Sequence, residues 1–544
     1  MMAVRIDGRR TKTLVSVAAV LLGTTACATS APTPQASDYV IRGGQIYDGS
    51  STTPFVGDVA VRGDRIVFVG KTADNPYAAR RIIDATGKIV APGFIDPHTH
   101  AASFLESSDP EKRLVLPWMM QGVTTIFTGV DGHGVPGNDP ADVGAFFRDL
   151  EARKAGINAA AYVGFGAVRR QVLGDDARAP SDAELGKMKS IVAKGMCDGA
   201  LGFSTGLFYA PQSFAKTEEV IEVAREAAGR GGVYDTHQRD ESSYTIGVVG
   251  STKEAIEIGR AAGMPVNFAH FKALGVDVHG KAPELVATIE AARAAGLDVT
   301  ADQYPWEASG SGLEASLLPR WSVDGGRAAL LKRLADPGDL QRIKTEMREN
   351  LRRRGGPQSL LLTAPNQPWT GKRLGEIAAQ WGVEPIEAAL RIIRETERGS
   401  SVVSFNMAEG DIKTLMKQPW VMTSSDGSQG HPRMYATFPQ KYAKYVLKEQ
   451  TISLAEFINA STGRTADRFK LEGRGHLRNG HFADVVVFDP DRYRPKADYL
   501  QPELLAEGVQ TLLVNGTLAI DGGKPTGAAA GRAIRHVPPT GTCS

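Results

Sequence analysis

Cysteine is almost absent, with only Cys27, Cys197 and Cys543 among 544 residues. If Cys27 is removed or lipidated, two cysteines remain and no disulfide framework is expected, so stability should come from the core and any bound metal. A charge excess is also missing: 63 basic and 61 acidic residues leave a formal net charge of +2. Mixed along the chain, this balance gives no reason to expect a nucleic-acid partner, and it is silent about small substrates. Beyond the first thirty residues no apolar run is long enough for a membrane span. Hydrophobic content of 42% and charged content of 23% are ordinary for a globular protein. The length suits one large barrel with attachments.

Residues 1–30 read as a targeting segment. Arg5, Arg9, Arg10 and Lys12 form a basic region, and LVSVAAVLLG (14–23) is an apolar stretch too short to span a bilayer. The following TTACATSA permits two readings: cleavage before Cys27 with lipidation of that cysteine, or cleavage after Ala28 at an A-x-A site. Both predict export, to the periplasm or as a membrane-anchored lipoprotein, with lipid on Cys27 as the one route to a membrane. Arg9-Arg10 is a weak hint of twin-arginine export.

Short β-branched runs punctuated by Gly and Asp fill residues 38–92 and return at 472–525. Neither half has strands enough for a stable sheet alone, so they predict one small β-sandwich domain built from both termini. Between them, at 93–471, strand patterns alternate with amphipathic helical runs such as KTEEVIEVAREAAGR. That alternation predicts an α/β fold with a parallel sheet, a (β/α)8 TIM-like barrel. The rule breaks once, between strands seven and eight, where a charged, helical stretch (320–400) is expected to form an inserted subdomain.

APGFIDPHTH (91–100) is the most informative stretch. An apolar strand ends in His98 and His100, and side chains two apart on a strand share a side. Later strand ends add Asp131, His237, His270 and Asp426. In a parallel barrel these ends meet at one mouth. Any one of these histidines alone would be a hydrogen-bonded core or surface residue, but four at three strand ends predict a metal site. Imidazole and carboxylate ligands suit zinc. A divalent cation lowers the pKa of water to roughly 7 and polarises a carbonyl. A carboxylate such as Asp426 can then take the water's proton and pass it to a leaving nitrogen.

The motifs PGFIDPHTH, QGVTTIFTG, GALGFSTGLFYAP, YDTHQRDE, FAHFK, ADQYPW, WVMTSSDG, HPRMYATFP and HLRNGHFADVVVFDP, in this order, resemble the N-acyl-D-amino-acid deacylase (D-aminoacylase) branch of the amidohydrolase superfamily over about residues 38–525. The resemblance implies zinc at His98, His100, His237 and His270, one ion or two, with Asp426 as base and then acid. It also implies contacts to a substrate carboxylate from Lys272, Tyr304 and Arg433. One departure stands out: the family's G-N-C-G, whose cysteine is a ligand, is here Gly129-Val130-Asp131-Gly132. Asp131 either replaces the thiolate, which would relax selectivity towards Mn2+ or Co2+, or caps the turn and ligates nothing. No lysine lies in ALGFST, so a carboxylated-lysine bridge has no source there. A second departure separates Ser309 from Ser311 by Gly310 where relatives have adjacent serines. Of the remaining histidines, His279 belongs to a lip loop and His431 is a candidate to orient substrate.

The expected reaction is metal-dependent hydrolysis of the amide of a small N-acyl-D-amino acid. The alternatives are an exported dipeptidase on an L-residue joined to a D-residue, a cyclic-amide hydrolase, and a non-catalytic binding protein that has kept the barrel.

Overall fold

The computed structural model describes residues 1, 3, 11–14, 35–396 and 401–543. Arg5, Arg9, Arg10 and Cys27 lie outside the described residues, as does most of the apolar stretch. Among the described residues, no helix is long and apolar enough to cross a membrane.

Eight strand segments form a parallel barrel: Phe94–Asp96, Val123–Thr128, Asn158–Ala161 continuing as Val163–Gly164, Gly202–Gly206, Val233–His237, Val266–Phe268, Val299–Gln303 and Val421–Thr423. Each pairs in parallel with its neighbour. Parallel strands covered on both faces favour unbroken apolar or small residues. In VTTIFT every side chain is buried. The ring closes where the chain after strand eight meets strand one. There the Asp426 N–H donates to the His98 carbonyl and the His100 N–H to the Gly427 carbonyl, both at 3.0 Å. The closing seam therefore carries three of the expected site residues.

The surrounding helices follow from their sequences. In Thr217–Ala228, Val220, Val223, Ala224 and Ala227 recur at helical spacing and are buried on one face. Asp182–Cys197 opens with a capping box, in which the Ser181 N–H donates to the Glu184 carboxylate at 2.8 Å and Ser181 Oγ accepts from the Glu184 N–H at 3.4 Å.

That helix ends at a residue for which the sequence reading needs correction. Cys197 is joined to Cys543 by a disulfide, across a sequence separation of 346. The C-terminal tail runs back along the amino ends of barrel strands three and four. Gly531 N–H donates to the Ala155 carbonyl (2.8 Å), and Ile534 and His536 N–H donate to the Ala159 and Gly199 carbonyls (both 2.9 Å). The tail shows neither helical nor strand periodicity, so nothing local in the sequence brings the two thiols together.

Strands from both termini hydrogen-bond into one nine-stranded sheet, joined where Val485–Phe488 pairs antiparallel with Ile89–Pro92. Ile41, Val59, Ile66, Val485 and Leu513, drawn from both termini, share one buried apolar cluster. Its two halves meet again where the Ile66 N–H donates to the His481 carbonyl at 2.8 Å.

Between strands seven and eight lie the helices Gly326–Ala335, Pro337–Arg353, Leu374–Trp381 and Pro385–Glu395, with a core of their own built from Leu330, Ile343, Met347, Ile377 and Leu390. The insertion is not helical alone. Ala308–Gly312, Ser401–Phe405 and Leu360–Leu362 form a three-stranded antiparallel sheet. The first of these reads ASGSG, and the third is only three residues long. Neither has the β-branched alternation by which a strand is recognised.

Candidate metal centre

The barrel mouth gathers His98, His100, Asp131 and Asp426 into one group of ligand atoms and Asp131, His237 and His270 into a second, each within 4.8 Å. Asp131 belongs to both. His98 Nε2 lies 3.4 Å and His270 Nε2 3.3 Å from Asp131 Oδ1, and His100 Nε2 lies 3.5 Å from Asp131 Oδ2. His100 Nε2 is 3.1 Å from Asp426 Oδ1, and His237 Nδ1 is 2.9 Å from His270 Nε2.

Backbone geometry turns these side chains inward. Asp131, His270 and Asp426 all have positive φ, at 54°, 36° and 47°. Left-handed conformations are unusual for non-glycine residues and cluster at functional sites. Gly129, before Asp131, has φ 78°, and a Cβ there would sit 2.5 Å from the Tyr162 carbonyl oxygen. Only glycine fits the turn that delivers Asp131. Ser204 Oγ donates to the Gly129 carbonyl and accepts from the Gly132 N–H, and Gln212 Nε2 donates to the Asp131 carbonyl at 2.8 Å. Beneath the mouth, Asp96 accepts from the backbone N–H groups of His98 (3.3 Å) and Ser425 (3.0 Å), fastening the two sides of the seam. Burial pushes its carboxyl up to about 7. Asp302 accepts from the His270 N–H at 2.8 Å.

The donor set fits a divalent cation. His98 Nε2 and Asp131 Oδ1 are buried without a hydrogen-bond partner, and both belong to the four-residue group. Buried polar atoms are rarely left unpaired, and a bound ion would satisfy these two together. The two carboxylates agree with this. Burial works against the charged forms of Asp131 and Asp426. His98 and His270 nevertheless hold Asp131 well below the usual carboxylate range, and Arg433 and His270 do the same for Asp426. Burial pushes His237 down to about 3. His270 is raised to about 10, because Asp426, Asp131 and Glu241 outweigh burial and Lys272. Two ionised carboxylates facing imidazoles form a surround that favours a cation.

The three residues expected to grip a substrate carboxylate fare differently. Arg433 lines the cavity above the centre, with Nη1 2.7 Å from Asp426 Oδ2 and Nη2 donating to Ser428 Oγ at 3.0 Å. Lys272 lines it too, but its ammonium is engaged by Glu241 Oε1 and His270 Nδ1 (both 2.7 Å) and by the His270 carbonyl (2.9 Å). Tyr304 stands behind them, its ring 4.8 Å from the Arg433 guanidinium carbon and 5.6 Å from Lys272 Nζ. His133 lines the cavity outside the ligand groups, with its ring pushed down to about 4 by burial. His431 also lines it, and its Nε2 is 3.0 Å from the Ala308 carbonyl. His279 Nε2 is 3.1 Å from the Asn406 carbonyl, where the chain returns from the insertion. Ser309 and Ser311 both line the cavity despite the intervening glycine.

Sequence reasoning missed Glu241, which lies 3.2 Å from His270 Nδ1 and 3.7 Å from His237 Nε2 and whose carboxyl Lys272 holds down at about 2 against burial. The available signal was a carboxylate four residues past His237, in YDTHQRDE. The cavity has a volume of about 400 Å³, and its outer wall comes from the insertion, including Ala315, Arg354, Thr363 and Val402.

The sequence pattern of the Amidohydrolase family matches residues 81–301 and 342–519. A D-aminoacylase from Alcaligenes xylosoxydans xylosoxydans is 33% identical over 522 residues, covering 92% of this chain and 98% of that protein. The chain belongs to the amidohydrolase family. Two solved structures place it in the N-acyl-D-amino-acid deacylase branch. One is of a D-aminoacylase described by its binuclear metal centre, with one-metal activation and second-metal attenuation (TM-score 0.77, 32% identity, 92% of this chain and 100% of that one). The other is the N-acyl-D-glutamate deacylase of Bordetella bronchiseptica, complexed with zinc and a phosphonate mimic of the tetrahedral intermediate (TM-score 0.78, 30% identity, 92% and 100%). This amidohydrolase is a metal-dependent hydrolase of amide bonds.

Proposed function

We propose that this amidohydrolase cleaves N-acyl-D-amino acids to a carboxylate and a free D-amino acid, with zinc as the metal. The observation that carries the reading is the pair of ligand groups sharing Asp131, set at one cavity beside the Asp426–Arg433 ion pair. His98, His100, Asp131, His237 and His270 would hold one ion or two, Asp131 being common to both ligand groups. Zinc supplies a lowered water pKa and a polarised acyl carbonyl.

The protein's own residues do the rest. Asp426, kept ionised by Arg433, enters the cycle as a base. It takes one proton of the attacking water and returns it to the nitrogen as the C–N bond breaks. Arg433, at the cavity wall, offers a guanidinium to the substrate α-carboxylate. Lys272 and Glu241 hold the His270 ring in place, and outer partners of this kind fix a ligand's tautomer and orientation. Mn2+ and Co2+ are alternatives at a site with an oxygen donor in place of a thiolate. The Cys197–Cys543 bond suits an oxidising compartment and so supports export.

The test is amino-acid release from paired N-acetyl-D and N-acetyl-L amino acids. Release confined to the D members is expected. Release from L members alone would overturn the stereochemical assignment, and silence with both would overturn the activity.

A further inference from the structure

The insertion helix Pro337–Arg353 ends at Arg354, which is 2% exposed and lines the same cavity as the metal centre. Its Nε donates to the Tyr244 hydroxyl (2.8 Å) and the Ser316 carbonyl (3.3 Å), and its Nη1 donates to Ser404 Oγ (3.0 Å). Its Nη2 has no partner among the described residues. A cation near a helix C-terminus is favourable, and the Ser316 carbonyl helps to place it, but every partner is neutral. Buried guanidinium groups are ordinarily matched by a carboxylate. The other cations of this cavity obey that rule: Lys272 is paired with Glu241 and Arg433 with Asp426.

The surroundings add to the excess. Arg320 stacks 4.0 Å over the Phe208 ring, which lines the cavity, and its own hydrogen bonds go only to the carbonyls of Leu318 and Ala315. The wall near the insertion sets apolar Leu274, Ala315, Val402 and Val403 beside the uncharged Thr363 and Ser401. Of the cations that line the cavity, Arg354 alone faces this largely aliphatic wall without a carboxylate partner.

We propose that Arg354 is a specificity-determining residue that receives a second carboxylate of the substrate, carried on a short aliphatic chain. The proposal rests on the deacylase reading above and names a substrate class within it. That carboxylate has two chemical sources: the side chain, as in N-acyl-D-glutamate, or the acyl group, as in an N-succinyl amino acid. In either case a neutral isostere leaves the buried guanidinium unpaired, and such losses discriminate strongly.

The test measures kcat/KM of the metal-loaded enzyme on two matched pairs: N-acetyl-D-glutamate with N-acetyl-D-glutamine, and N-succinyl-D-norvaline with N-butanoyl-D-norvaline. The expected result is a preference of roughly 30-fold for the acidic member of one pair, with the pair identifying the source. Arg354→Gln should bring that ratio close to one, and Arg354→Lys should restore part of it. Hydrolysis of the neutral members with no charge preference in either pair overturns the proposal and leaves the deacylase reading standing. So does a preference that survives in Arg354→Gln. Failure to hydrolyse any of the four overturns both. The wild-type comparison remains decisive if Arg354→Gln does not fold.

Discussion

Asp131, His270 and Asp426 each occupy a left-handed backbone conformation, which costs on the order of 1–3 kcal/mol apiece. The barrel bears that cost through the contacts that hold the turns, such as those of Ser204 and Gln212 around Asp131. Residue identity was legible in the sequence, because histidines and carboxylates at strand ends carry their own chemistry. Residue conformation was not, since nothing in GVDGH marks which residue must turn inward.

A second residue-scale strain is electrostatic. Lys441 is 1% exposed, with its Nζ donating to Thr423 Oγ1 at 2.9 Å. Burial, helped by Arg464 and opposed by Glu456, pushes its ammonium down to about 7. The unfolded chain therefore holds this proton up to about pH 10 and the folded chain only to about pH 7. Stability attributable to Lys441 is full above the unfolded value and falls as pH drops towards 7. Lys441→Met should remove that slope. The check is urea denaturation between pH 7 and 10 for both proteins: the wild type should gain on the mutant as pH rises. A constant difference across that range would contradict the assignment.

At the scale of elements, the legible parts were those with a repeating pattern. The barrel strands are apolar and the helices between them amphipathic, so their order could be read directly. The small sheet of the insertion could not, because Ala308–Gly312 is built of small residues and is held by pairing with Ser401–Phe405 across ninety residues of sequence. The C-terminal strap was hidden for a related reason: its hydrogen bonds go to barrel carbonyls and its anchor is a distant cysteine. Closing so long a loop should restrict the unfolded chain substantially, by up to about 5 kcal/mol. Cys543→Ser should lower the melting temperature by roughly 3 °C or more. The strap runs along the amino ends of the strands and the metal centre lies at their carboxyl ends, so kcat/KM at 25 °C should stay within twofold. An unchanged melting temperature would show that the bond contributes nothing.

At the scale of the whole molecule, the fold has one functional logic. The barrel seam brings His98 and His100 against Asp426, the turn after strand two adds Asp131, and strands five and six add His237 and His270. The insertion then closes the cavity from outside with residues that have no counterpart in the barrel. The candidate metal centre was visible in the sequence because histidines and aspartates recur at the ends of its strands. The outer wall was not, because specificity lies in which side chains of a distant segment face inward. That division explains why the reaction class could be anticipated while Arg354 emerged only with the structure.

The central claim is that these side chains hold a metal on which hydrolysis depends. The most direct measurement strips the purified enzyme with a chelator, confirms its metal content by atomic emission, and follows D-amino-acid release from an N-acetyl-D-amino acid as zinc is returned. The expected result is no release from metal-free protein and recovery as zinc fills the site. Undiminished release from protein shown to be metal-free would contradict it.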